Sequence, residues 1–168
     1  MYVQDLDVAS YRVRISGSGN VEGGTGYADH EDLNISGSGN IDLTATTGAF
    51  TLAATRSVSS TSGHITVSAD SVAQSGAIAT GATGAVAVTS DVGAITMADG
   101  ATTTSATGSI NYTAATNVAL ASIASTSGDL TLTATAGAIT DNTAAESANL
   151  ATAGQTTLTA NTGIGTSG

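Results

Sequence analysis

The chain has no cysteine, proline, tryptophan or lysine, and only 3% of its 168 residues are aromatic. Without cysteine there is no disulfide, no thiolate nucleophile and no cysteine-ligated zinc. Without large aromatic side chains an ordinary globular core is hard to fill, so the chain needs a thin core with many close backbone contacts. The basic residues are Arg12, Arg14 and Arg56 alone, against a net charge of −10 and a pI near 4.1. Nucleic-acid binding requires a cationic track to neutralise phosphate, and there is none. Attachment to an anionic membrane surface is disfavoured for the same reason.

Long apolar runs are missing too, so no membrane-spanning helix is expected. An outer-membrane barrel would need aromatic girdles, which the composition does not supply. Residues 1–10 carry Asp5 and Asp7 and lack the basic start and apolar stretch of a signal peptide. The chain therefore reads as a piece cut from a longer array, with Met1 added for expression. The composition does hold 40% hydrophobic residues, 21 glycines and a mean hydropathy of +0.20. Disordered segments are less apolar than this, and here the apolar residues are periodic.

The period identifies the fold. Ile15-Ser-Gly-Ser-Gly-Asn20 returns as Ile35-Ser-Gly-Ser-Gly-Asn40. Further along, a glycine, a variable residue and then apolar residues at alternate positions recur. Gly39-Asn-Ile-Asp-Leu43, Gly63-His-Ile-Thr-Val67, Gly84-Ala-Val-Ala-Val88 and Gly128-Asp-Leu-Thr-Leu132 show the unit plainly. Gly19, Gly108 and Gly154 open the other copies, which are 20 to 26 residues apart. A second arm follows about nine residues after most of these glycines, as in Gly48-Ala-Phe-Thr-Leu52 and Gly93-Ala-Ile-Thr-Met97. A third precedes each start and carries Ile15, Ile35, Val58, Ile78, Ile123 and Leu150.

Alternation of apolar and polar residues is a strand pattern, since successive side chains point to opposite faces. The expected fold is all-β: a single parallel β-helix, right-handed, over residues 1–168. It should have about seven coils, each with three short strands and Gly/Ser corners. Stacked at about 4.8 Å per coil, seven coils would make a rod about 34 Å long. In the Gly128 arm, Leu130, Leu132 and Ala134 should point inward and Thr131, Thr133 and Thr135 outward. One alternative concerns Thr143 to Ala153, where Thr-x-x-Glu146 ahead of Gly154 also fits a short capped helix; a longer loop is the simpler reading.

The two Ile-Ser-Gly-Ser-Gly-Asn copies are each followed by an apolar–acidic pair, Val21-Glu22 and Ile41-Asp42. Over residues 11–45 this resembles the head GIN family of autotransporter adhesins. The Gly-x-Ile-Thr-Val coils of residues 46–168 are similar to those of large secreted adhesins of the filamentous-haemagglutinin type. The resemblance implies a right-handed parallel β-helix exposed on a bacterial surface, and it brings no catalytic residues. The expectation is a structural or adhesive repeat segment of an extracellular surface protein, a rigid spacer or display stalk. Its partners would be neighbouring solenoid repeats, identical chains joined end to end, or surface glycans. No cofactor, nucleic acid or membrane insertion is expected.

Residues with catalytic chemistry are sparse. His30 and His64 are the only histidines. His64 occupies the variable position after a start glycine and is expected to be solvated. No nucleophile, base and orienting group can be assembled from the residue order. A polysaccharide lyase, which can share this fold, would need acids and bases clustered in a cleft, and Arg56 stands alone beyond Arg14. The chain is therefore not expected to be an enzyme.

Asp29, Glu31 and Asp32, with His30 between them, form the densest polar cluster. Hard carboxylates suit calcium, and the alternative is an exposed acidic loop. Aligning the first arms places Thr44, Ser68, Thr89, Thr113, Thr133 and Thr159 in one outward column. Asp42, Thr66, Ala87, Asn111, Thr131 and Thr157 form a second. A flat face of outward Thr-x-Thr is how several ice-binding proteins address water. Threonine is also favoured in strands for its own sake. The alternative function is thus a surface-binding module for glycan or ice.

Overall fold

A computed structural model describes Tyr2–Val3, Tyr11–Ile15, Val21–Gly23 and residues 31–144 and 148–165, with side chains placed over 38–144 and 148–165. The chain folds as a parallel β-solenoid of three sheets, and the described residues contain no helix.

The first sheet holds eight strands: β1 (Tyr2–Val3), β3 (Val21–Gly23), β5 (Ile41–Thr44), β8 (Ile65–Ala69), β11 (Val86–Ser90), β14 (Ile110–Ala114), β17 (Leu130–Ala134) and β20 (Thr156–Ala160). The second has six: β6 (Ala49–Leu52), β9 (Ser71–Gln74), β12 (Ile95–Met97), β15 (Val118–Leu120), β18 (Ala138–Asp141) and β21 (Gly163–Ile164). The third has seven: β2 (Tyr11–Ile15), β4 (Glu31–Gly37), β7 (Ser57–Ser60), β10 (Ala77–Thr80), β13 (Thr102–Ser105), β16 (Ser122–Ser125) and β19 (Leu150–Ala151). From β5 to β19 the chain visits first, second and third sheet in turn, which makes five complete three-armed coils. That is fewer than the seven repeats counted in the sequence, because among the described residues the second sheet begins only at β6 and the last repeat ends at β21.

Register follows the apolar columns. In the first sheet Ile41, Ile65, Val86, Ile110 and Leu130 stack as direct partners, and Leu43, Val67, Val88, Tyr112 and Leu132 form the next inward column. The second sheet stacks Phe50, Val72, Ile95, Val118 and Ile139. A one-residue slip would turn such a strand inside out, so burial itself enforces the register. Leu130 and Leu132 are 0% exposed, while Thr131 and Thr133 are half-buried on the outer side. Each coil alone encloses too little apolar surface to be stable; stacking makes one continuous core.

The start glycines serve close approach rather than unusual torsion. None of Gly63, Gly84, Gly108 and Gly128 has a positive φ. A Cβ on any of them would run into the carbonyl of the start glycine one coil earlier: Gly39, Gly63, Gly84 and Gly108 in turn. Hydroxyls line the same corner from inside. Ser60, Thr80, Ser105 and Ser125, all buried, donate to the carbonyls of Gly39, Gly63, Gly84 and Gly108 at 2.8 to 3.0 Å. Ser60 and Ser125 also accept from the amides of Gly63 and Gly128 at 2.8 and 2.9 Å. Each hydroxyl thus satisfies backbone groups where the sheets break, and those groups would otherwise be buried without partners.

The described residues on either side of 145–147, after β18, are tethered by side chains. Thr143 donates to Asp141 through both its hydroxyl (2.7 Å) and its amide (2.8 Å), and Asn149 donates to the same carboxylate at 2.9 Å. These hydrogen bonds, with the Thr143 hydroxyl foremost, hold the Asp141 carboxyl below the usual carboxylate range. The Asn142 and Asn149 amides donate to the carbonyls of Met97 and Ala121. Of the stretch read as a loop or short helix, residues 143–144 and 148–153 are loop and strand.

Candidate functional site

The outer face of the first sheet is the most regular surface of the described residues. Its columns match the sequence alignment position by position. Thr44, Ser68, Thr89, Thr113, Thr133 and Thr159 are successive register partners across β5, β8, β11, β14, β17 and β20. Asp42, Thr66, Ala87, Asn111, Thr131 and Thr157 run beside them, two residues away along each strand. Parallel pairing puts the hydroxyls about 4.8 Å apart along the axis, and the two columns lie about 6.6 Å apart.

Thr44 and Thr159 are exposed, and the four members between them are half-buried by their neighbours. The Ser68 hydroxyl donates to Asp91 at 3.2 Å, and that of Thr113 reaches Asn111 at 3.5 Å. Among the described residues no side-chain hydrogen bond engages Thr44, Thr89, Thr133 or Thr159. Their hydroxyls and methyls face solvent as a repeating donor, acceptor and apolar pattern. The second column is broken by Asp42, Ala87 and Asn111.

His64 is exposed, as expected of a solvated position, yet it is not idle. Its Nδ1 accepts the Ala85 amide of the next coil at 3.0 Å, while its own amide donates to Asn40 Oδ1 of the previous coil at 2.9 Å. Asp129 Oδ1 accepts the Gln155 amide at 2.8 Å in the same way. At Asn40, His64 and Asp129 the variable position after the start glycine thus extends the backbone ladder through side chains.

Of the calcium candidates, Asp29 lies outside the described residues. Glu31 and Asp32 open β4, where their register partners are Tyr11 and Arg12. Among the residues with described side chains, no group of three or more His, Asp or Glu comes together. A depression of about 490 Å³ beside β13, β16 and β19 is lined only by threonine, serine and alanine, among them Thr104, Ala124, Thr126 and Ala151. It offers hydroxyls but no group that titrates near neutrality.

Two features escaped the sequence. The inner hydroxyl ladder was signalled by a Ser or Thr two to four residues before each start glycine: Ser60, Thr80, Ser105, Ser125 and Thr152. The second feature is a polar cluster of Gln74, Thr103 and Tyr112 inside the core, all 0% exposed, one from each sheet. Burial pushes the Tyr112 hydroxyl well above its ordinary pKa, against the smaller opposing effect of its bond to Thr103. Nothing in the residue order brings these three together.

No protein family, curated protein or solved structure matches the chain.

Proposed function

We propose that the chain is a rigid repeat segment of a large extracellular surface protein of adhesin type, a spacer or display stalk without enzymatic activity. The observation that carries this reading is the set of in-register columns running through five complete coils around one closed core. Such a body transmits position along its axis, because bending it would break parallel ladders on at least one side.

Two measurements test the reading. Spin labels at Thr44→Cys and Thr133→Cys, four coils apart, should give one narrow distance near 19 Å; a broad distribution would remove the spacer role. Antibody against the folded chain should label intact cells that make it. Labelling only after permeabilisation would remove the surface location.

A second reading, a module that binds a glycan or ice surface, is favoured by the unbroken hydroxyl column from Thr44 to Thr159. Thermal hysteresis and a glycan array distinguish it. Activity in either that disappears in Thr113→Lys, with the fold intact, would make the first sheet's face the working surface.

A further inference from the structure

Three inward columns are interrupted at neighbouring levels, one in each sheet. Gln74 stands between Leu52 and Met97, Thr103 between Ile78 and Ile123, and Tyr112 between Val88 and Leu132. The three polar residues close on one another. The Tyr112 hydroxyl donates to Gln74 Oε1 at 2.7 Å and lies 2.6 Å from Thr103 Oγ1. Gln74 Nε2 donates to Thr103 Oγ1 and to the Thr102 carbonyl, both at 3.0 Å, and reaches the Gly76 carbonyl at 3.2 Å.

Strand β13 depends on this cluster more than any other. It reads Thr-Thr-Thr-Ser and brings no apolar side chain to the core. Its neighbours β10 and β16 share one inward pattern, Ile78 then Thr80 and Ile123 then Ser125. If β13 were expelled as a loop, Ile78 could stack on Ile123 and the apolar column would be continuous. Within the third sheet taken by itself, the apolar pattern therefore favours omitting this strand, a hazard of repeat sequences, although β11 and β12 of the same coil carry the buried Val86, Val88, Ile95 and Met97. Expulsion would take away the Thr103 hydroxyl and the Thr102 carbonyl, leaving the Gln74 amide two hydrogen bonds short and the Tyr112 hydroxyl with Gln74 alone in an apolar core, where under-satisfied polar groups are unfavourable.

We propose that Gln74, Thr103 and Tyr112 form a coil-order key: Gln74 and Tyr112 reach across the core from two sheets to hold β13 in the third, preventing β10 from pairing with β16. The key acts by penalising the wrong stack, as single buried polar residues do in coiled coils. Replacing all three by apolar residues should therefore be tolerated, whereas removing two leaves the third buried without its side-chain partners.

The absence of native cysteine makes engineered pairs clean reporters. Ala79 and Thr104 are direct register partners, so Ala79→Cys with Thr104→Cys reads the native stack. Ala79 and Ala124 are two coils apart, about 9.6 Å, beyond disulfide reach. Ala79→Cys with Ala124→Cys therefore closes only when β13 is out. In the parent this second pair should stay open. In the double variant Gln74→Leu with Tyr112→Phe its yield should rise at least about tenfold, and adding Thr103→Val should suppress it again. A double variant that keeps the native crosslink in full and leaves the second pair open would overturn the proposal.

If that variant loses its β-sheet spectrum altogether, Tyr112→Phe decides by hydrogen exchange. Amides of β13 should exchange about fivefold faster, the equivalent of one hydrogen bond, with those of β17 unchanged. A uniform change, or none, would overturn it.

Discussion

The Tyr112 hydroxyl and the Gln74 side-chain carbonyl meet at 2.7 Å in the middle of the core, joining the first sheet to the second across 38 residues of sequence. Every other inward residue of these two columns, from Leu43 to Leu132 and from Leu52 to Met97, is apolar. The contact makes one phenol in this acidic protein an internal structural group.

Alkaline stability should report it. Because the folded pKa of Tyr112 is raised, its contribution is complete below the ordinary tyrosine value near 10 and is lost as pH rises above it. Unfolding free energy should fall by up to about 1.4 kcal/mol per pH unit above pH 10. Chemical denaturation from pH 8 to 11.5 on the parent and on Tyr112→Phe should show this slope reduced in the variant. Identical slopes would place the titrating group elsewhere.

The inward and outward assignment of β17 predicts a contrast between adjacent residues. Leu132→Asp buries a charge with no partner and should destabilise by about 4 kcal/mol or more. Thr133→Asp, on the outer face, should cost less than about 1 kcal/mol. Urea midpoints of the two variants would expose a wrong assignment by coinciding.

Glycines with different duties should respond differently to alanine. Gly108→Ala forces a methyl against the Gly84 carbonyl and the backbone of the coil below, and should cost about 3 kcal/mol. Gly100→Ala meets open space and bears only the strain of a positive φ, about 1 to 2 kcal/mol. Thermal unfolding of the pair would contradict the close-approach account if Gly100→Ala were the worse of the two.

Strand edges of a solenoid recruit further strands. At β20 the inward Leu158 is half-buried where its partner Leu132 is fully covered, and Ile164 of β21 is 56% exposed. The net charge of −10 opposes association and is screened by salt. The isolated 168-residue chain should therefore form longer end-to-end assemblies as ionic strength rises. Sedimentation across a salt series would count against this if the chain stayed monomeric throughout.

The sequence by itself determined the coil. A glycine, a variable residue and then apolar residues at alternate positions, written every 20 to 26 residues, encode a corner, a strand and a face, because side-chain alternation is local and glycine spacing is covalent. The ladder from Thr44 to Thr159 was legible for the same reason: once the start glycines align, every outward column follows. The third arm of the coil between Gly84 and Gly108 was not legible, since Thr102–Ser105 carries no apolar residue to mark its inner side. Tertiary structure alone decided that Thr103 belongs in the Ile78 column, by bringing Gln74 from 29 residues upstream and Tyr112 from nine residues downstream to meet its hydroxyl. It also decided why glycine recurs at the corner. The chain spells the residue, but the reason is the carbonyl of the coil below, which exists at that place only when the coils are stacked.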